Sequence, residues 1–157
     1  MKRILILSSE FPPGPGGIGT HAYQVAHALH NGGWKVNVLT PQDYASKNEI
    51  TTFNQSQPFS IETLANRQTK IFQTWHRFWA IIRNLRQVKP DLVMATGSRA
   101  AWMAGLIVST WGIPWVLIGH GSEFGQTTGW QGRLMRANGN RADAVIAVSQ
   151  FTQKVMQ

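Results

Sequence analysis

Short runs of apolar, often β-branched residues alternate along this chain with longer amphipathic stretches, and that alternation restricts the fold more than any other feature. Arg3–Ser8 reads as a first strand. Gly19–Asn31 reads as a helix closed by Gly32-Gly33, because a residue without a Cβ suits the left-handed turn past a helix end. Trp34–Thr40 follows as a second strand, stopped by Pro41. Gln42–Glu62 is polar and irregular, with a short strand expected near Thr51–Asn54. Thr63–Val88 predicts a long helix ended at Pro90, then Asp91–Thr96 a strand, Ser98–Thr110 a helix and Trp115–Gly119 a strand. A glycine-rich loop, a helix around Gln131–Asn138, a strand Ala144–Ser149 and a helix from Gln150 complete the series. Strands and helices in this order imply right-handed crossovers and a mainly parallel sheet of about six strands covered by helices on both faces. The expected architecture is a Rossmann-like α/β three-layer sandwich.

Composition removes several alternatives. The 157 residues are 43% hydrophobic and only 14% charged, which excludes a disordered chain and fits a single domain over 1–157. There is no cysteine, so disulfides, thiolate zinc sites and thiol catalysis are excluded, and a reducing, cytoplasmic setting fits. The histidines at 21, 27, 30, 76 and 120 form no compact ligand signature, so no metal is expected. Ile4–Leu7 is too short for an export signal, whose apolar core needs roughly seven to fifteen residues. Ala100–Gly119 carries no charge, but Ser109-Thr110 and Gly112-Ile113-Pro114 divide it into a helix and a strand rather than a membrane span. The sequence stops at Gln157 without a helix stop signal, which predicts further chain in the complete protein.

In a parallel sheet of this kind, ligands bind in the crevice at the carboxyl ends of the strands. Two loops stand out there. Pro12–His21 joins the first strand to the first helix through a run of glycines, which lets backbone approach a ligand and puts free N–H groups behind it, a setting suited to phosphate. Gly14, Gly16 and Gly19 match the dinucleotide fingerprint letter for letter, yet Ser9–Pro13 separates them from the strand and only Asp43 offers the ribose-binding acid. That leaves a nicotinamide-dependent oxidoreductase as an alternative. In the second loop, His120-Gly-Ser-Glu123 follows a buried strand, so a titratable imidazole enters the crevice. Glu10 and Glu123 are the acids that directly follow strands; a two-carboxylate hydrolase built on them ranks low.

Glu10-Phe-Pro-Pro, Gly16-Gly-Ile-Gly-Thr-His21, Gly32-Gly33 with the following strand to Pro41, Lys89-Pro-Asp-Leu-Val, His120-Gly-Ser-Glu123 and Ala142–Ser149 together resemble the N-terminal half of a glycosyltransferase family 4 enzyme, in the expected order. The resemblance covers the chain except Gln42–Thr63. It implies a GT-B architecture of two Rossmann-like domains, of which this is the acceptor-side one, and transfer from a nucleotide-sugar to a hydroxyl acceptor with retention of configuration, usually without a metal. It implies that Gly16, Gly17 and Gly19 lie against donor phosphates and substrate, and that His120 stands near the reacting sugar as the catalytic candidate. Glu10, His21 and Glu123 are further candidates for holding acceptor hydroxyls. The donor-binding domain is outside this sequence, so the isolated domain is expected to be inactive or nearly so.

A basic stretch adds a membrane reading. Arg67, Lys70, Arg77, Arg83, Arg86 and Lys89 fall between Thr63 and Pro90 with no acid among them, and Phe72, Trp75 and Trp79 widen the apolar stripe of that helix. Arg67, Lys70, Trp75, Arg77, Trp79 and Arg83 are the candidates for an anionic membrane surface, on the inner face of the membrane. Many family members act on lipid-linked acceptors there, which the resemblance extends to this chain. A non-enzymatic membrane-binding module is the rival from another class. Nucleic acid is the competing partner for a chain of net charge +8, but the tryptophans sit in apolar elements rather than on a polar stacking platform.

Overall fold

A computed structural model of the chain describes residues 1–64, 69–120, 137 and 139–156. It contains six strands, β1 (Arg3–Ser8), β2 (Lys35–Thr40), β3 (Ser60–Thr63), β4 (Leu92–Thr96), β5 (Trp115–Gly119) and β6 (Ala144–Ala147), and they form one sheet in the order β3-β2-β1-β4-β5-β6. All five pairings are parallel. Five helices accompany them among the described residues: α1 (Gly17–Asn31), α2 (Lys47–Gln55), α3 (Lys70–Val88), α4 (Ser98–Ile107) and α5 (Gln150–Met156). This is the Rossmann-like α/β arrangement that the alternation of elements predicts.

β1 shows why the apolar runs are continuous. It is central in the sheet, and successive side chains point to opposite faces, so both faces must be apolar. Leu5 and Leu7 pack with Ile81, Leu85, Ala104 and Leu117 on the face covered by α3 and α4. Ile4 and Ile6 pack with Ala22, Ala26, Val36 and Ile118 on the face covered by α1. Past the end of α1, Gly33 adopts φ 83° while its N–H donates to His30 O (2.9 Å) and Trp34 N–H donates to Leu29 O (3.0 Å). These two bonds make a Schellman turn and explain the paired glycines. At the amino edge, Asp91 accepts from Arg3 N–H (2.7 Å) and Asp143 from Trp115 N–H (2.8 Å). These two acids tie neighbouring strands at their starts and lie far from the carboxyl edge.

The segment after β2 departs from the sequence reading. Residues 51–54 are helical, not extended: Ser46 caps α2, its Oγ accepting from Glu49 N–H while Glu49 accepts from Ser46 N–H. That reciprocal capping box fixes the helix start despite the β-branched Thr51-Thr52 pair. The extended piece is β3, displaced to Ser60–Thr63, and the long helix accordingly starts later than Thr63, at Lys70. Among the described residues no helix is long and apolar enough to cross a membrane.

Candidate functional site

Because every strand runs the same way, the loops after β1, β4 and β5 emerge at one edge, and the order β2-β1-β4-β5 makes them neighbours. The gap between β1 and β4 is the point where strand order reverses, the position at which such sheets bind ligands. Ser9 N–H donates to Thr96 O (3.0 Å), and Ser9 Oγ accepts from Ala100 N–H (3.2 Å), so the β1 loop is fastened to the start of α4. Gly97 makes that fastening possible. It sits at φ 88°, and a Cβ there would lie 2.5 Å from both Cβ and Oγ of Ser9.

The three predicted glycines have different environments. At Gly19 a Cβ would lie 3.1 Å from Phe11 N and 3.2 Å from Glu10 C, so this buried residue lets α1 press on the loop backbone. At Gly16 (φ 142°) a Cβ would overlap the Glu10 carboxylate, which stands against the N-terminus of α1. Nothing lies within 4 Å of the Cβ direction of Gly17, the open position of the three. No side chain caps α1 and its first turn carries no acid. Pro12 O, in the same loop, accepts from Gln42 Nε2 (2.6 Å); Gln42 is buried and also exchanges hydrogen bonds with Asn54 and Thr63. Neither Gln42 nor Gly97 stands out in the sequence as a site residue, since each acts only through tertiary contacts.

His21, on α1, and His120, directly after β5, meet edge to face with ring centroids 5.1 Å apart. His120 Nε2 is 2.8 Å from Thr96 Oγ1, whose residue is fully buried at the end of β4. Burial, and then the neighbouring His21, push the His120 imidazole below the ordinary histidine range, so it is neutral at neutral pH. His21 Nδ1 is buried and has no hydrogen-bond partner among the described residues. Glu10, Gly17 and His21 on one stretch of sequence and His120 on another thus come to one end of the sheet. Glu123 lies outside the described residues. Among the described residues no group of three or more His, Cys, Asp or Glu could hold a metal ion.

The helix read as a membrane surface exposes only some of the residues named for it. Phe72, Trp75 and Trp79 are 68%, 61% and 46% exposed, and the two tryptophans touch edge to face at 5.7 Å. Arg83 forms an ion pair with Glu62. Arg67 lies outside the described residues, and Lys70 is described only as the first residue of α3. Arg77 is a correction: it is 7% exposed and faces inward. The spacing Arg77-Ile81-Leu85 explains this, because residues four apart share a helical face and Ile81 and Leu85 belong to the core.

Comparison with known proteins gives this geometry a family. The model of Glycosyltransferase Family 4 matches residues 15–157. The UDP-N-acetylglucosamine–N-acetylmuramyl-(pentapeptide) pyrophosphoryl-undecaprenol N-acetylglucosamine transferases of Salmonella paratyphi A and Cronobacter sakazakii are each 26% identical over 145 residues, covering 85% of this chain and 38% of theirs. Among solved structures, Acinetobacter baumannii MurG superposes with TM-score 0.67 at 18% identity, covering 97% of this chain and 42% of that one. Anabaena Alr3699/HepE, in complex with UDP-glucose, gives TM-score 0.74 at 20% identity over 99% of this chain and 40% of that one. The Methanocaldococcus jannaschii UDP-GlcNAc 2-epimerase also superposes, with TM-score 0.67 at 16% identity, covering 99% of this chain and 42% of that one, so the structural likeness speaks for fold alone. The chain spans about two fifths of the length of these relatives.

Proposed function

Because this chain belongs to Glycosyltransferase Family 4, we propose that it is the acceptor-side half of an enzyme that transfers a sugar from a nucleotide-sugar to a hydroxyl acceptor with retention of anomeric configuration. The observation that carries this reading is the meeting of His21 and His120 beside the glycine loop at the carboxyl edge.

In glycosyl transfer, charge builds on the departing diphosphate and on the anomeric carbon, while the acceptor hydroxyl loses a proton. A neutral imidazole suits the sugar side of this, since it can donate from one ring nitrogen and accept at the other without adding a cation beside an oxocarbenium-like centre. The Thr96 hydroxyl and the closeness of His21 hold the His120 ring in one orientation. Glu10 is an anion at the N-terminus of α1, so a free phosphate is not favoured directly on Gly16, whereas a hydroxyl is: the carboxylate accepts its hydrogen bond. Gly17 leaves the adjoining backbone approachable from the cleft. We assign the Glu10–His21 corner to the acceptor and His120 to the transferred sugar.

The remaining wall of the pocket, with most donor contacts and the larger share of charge stabilisation, belongs in this reading to a second domain, and no metal takes part. Phe72, Trp75 and Trp79, exposed together on α3, favour an acceptor presented at a cytoplasmic membrane surface. The test is transfer of radiolabelled sugar from a panel of UDP-sugars. An enzyme carrying this domain joined to a donor domain forms glycoside with the donor's anomeric configuration, and the 157-residue chain alone does not. Product of inverted configuration refutes retention, and full activity of the lone chain refutes the two-domain reading. Saturable micromolar binding of NAD(P) by the lone chain favours the oxidoreductase alternative instead.

A further inference from the structure

Gly14 serves a different purpose from the other glycines of the β1 loop. Its φ is not positive, so its own backbone does not demand glycine. The demand comes from Tyr44, in the turn after β2. A Cβ on Gly14 would lie 3.0 Å from Tyr44 Cβ and 3.2 Å from its ring Cδ2, closer than side chains ordinarily approach. The bare backbone of Gly14 is thus a seat for the base of a tyrosine side chain. Nothing covers the rest of that side chain: Tyr44 is 70% exposed.

A single exposed aromatic ring is common on protein surfaces and needs no explanation. Tyr44 differs in being held and in where it is held. Two residues before it, buried Gln42 donates to Pro12 O (2.6 Å) in the β1 loop. Two residues after it, Ser46 and Glu49 exchange the capping bonds that start α2. The backbone is therefore fixed on both sides and Gly14 fixes the Cβ, so contact made by the ring costs little further ordering. A rigid tyrosine of this kind offers a large amphipathic surface to a ligand. The loops after β1 and β2 leave the same edge of the parallel sheet, where the transfer crevice lies. Gly14 is two residues from Gly16, at most about 7 Å along the chain, and Gly16 abuts the Glu10 carboxylate. Asp43, adjoining Tyr44, is also exposed. One aromatic face and two carboxylates thus border the same stretch of loop.

We infer that Tyr44 is a stacking platform for a pyranose ring, and that the acceptor hydroxyl is accordingly carried by a sugar. A pyranose presents C–H bonds on one face and hydroxyls around its rim. The electron-rich face of an aromatic ring attracts the C–H face and shields it from water. Ionised carboxylates accept hydrogen bonds from the rim hydroxyls, and the tyrosine hydroxyl donates or accepts at the far end of its ring. A sugar seated on Tyr44 has Asp43 at its side, and the chain of the β1 loop leads from it toward Glu10 and His21. A simple alcohol has the hydroxyl but no face to stack. The assignment of this sugar to the acceptor rests on the glycosyltransferase reading; the seat itself does not.

The experiment is saturation-transfer NMR on the 157-residue chain with the methyl pyranosides of glucose, galactose, mannose and N-acetylglucosamine, and with glycerol and cyclohexanol as probes that have only the hydroxyls or only the ring. The proteins are wild type, Tyr44→Ser, Tyr44→Phe and the control Phe151→Ser, whose aromatic ring on α5 is 71% exposed. At least one pyranoside binds saturably, with saturation strongest on the protons of one ring face. Its affinity falls about tenfold in Tyr44→Ser, stays within a few-fold in Tyr44→Phe and is unchanged in Phe151→Ser. Tyr44 is exposed, so its variants fold. Absence of saturable binding, equal binding by wild type and Tyr44→Ser, or equal loss in Phe151→Ser overturns the platform. Equal loss in Tyr44→Phe and Tyr44→Ser overturns stacking, and glycerol or cyclohexanol binding as tightly as the best pyranoside overturns the sugar class. In an enzyme carrying this domain, Tyr44→Ser raises the acceptor KM and leaves the donor KM unchanged; the reverse overturns the assignment to the acceptor. If the platform fails while that enzyme still transfers sugar, only this inference falls. If pyranosides bind at Tyr44 but no transfer occurs, the glycosyltransferase reading falls and the sugar seat stands.

Discussion

Replacing Gly97 by alanine tests the contact that holds the β1 and β4 loops together. Two costs add at this position. The backbone, at φ 88° and ψ 151°, lies in a region open essentially to glycine alone, so a side chain costs about 1–3 kcal/mol. The new Cβ would also lie 2.5 Å from Cβ and Oγ of Ser9, and relieving such an overlap costs about 1–3 kcal/mol more. The sum, about 2–6 kcal/mol, is a large part of a domain's total stability of about 5–15 kcal/mol. At about 2–4 °C per kcal/mol for a chain of this size, the midpoint of thermal unfolding falls by roughly 5–20 °C. Circular dichroism melts, paired with urea titrations, measure it. Two other glycines calibrate the result. Gly33→Ala carries only the backbone cost, about 1–2 kcal/mol, because nothing lies within 4 Å of its Cβ direction. Gly17→Ala meets no neighbour and sits in helical backbone, so it is neutral or slightly stabilising. Ser9→Gly, which removes the colliding atoms, should recover part of the Gly97→Ala loss in a double-mutant cycle. A Gly97→Ala protein as stable as Gly17→Ala refutes the reasoning, and so does an absence of coupling to Ser9.

Other outcomes follow from the same geometry. Gln42→Leu leaves Pro12 O, Asn54 and Thr63 without their shared partner and lowers the urea-derived stability by about 1–3 kcal/mol; an unchanged midpoint contradicts the network. The His120 ring titrates, by NMR, below the ordinary value of about 6.5, so the unfolded chain takes up that proton first and His120 contributes a loss of stability as pH falls from about 6.5 through the lower folded value. A His120 midpoint at or above 6.5 contradicts this. Trp75→Ser with Trp79→Ser abolishes a salt-sensitive preference for anionic over neutral vesicles, whereas equal partition of the wild type onto both refutes the membrane reading.

Much of the architecture is legible because burial on both faces of a parallel sheet leaves an unmistakable residue pattern. Ile4-Leu-Ile-Leu7 and Trp115–Gly119 can hardly be anything but central strands, and Gly32-Gly33 closes α1 as its lack of side chains suggests. The misreadings arise where local and tertiary signals compete. Thr51-Thr52-Phe53 has strand-forming residues, but the Ser46–Glu49 box and the packing of Phe53 beside Tyr23 select a helix. At the site, His120 is legible because it directly follows a buried strand that ends at the crevice, whereas His21, inside α1, is legible only through the family resemblance of the motif it closes. The contact between their rings is not legible, since it depends on strand order. Arg77 shows the reverse case: its charge suggests solvent, while its spacing of four residues from Ile81 and eight from Leu85 already places it inward. Gly97 gains its meaning only from Ser9, far away in sequence.

The most direct test of the central claim is the turnover of a His120→Ala variant in an enzyme carrying this domain together with its donor-binding partner. A sugar-transfer pocket with His120 at its wall predicts a fall in kcat of about a hundredfold or more, with the unfolding midpoint and donor KM little changed. Turnover within a few-fold of the parent, in a variant that folds normally, contradicts the claim.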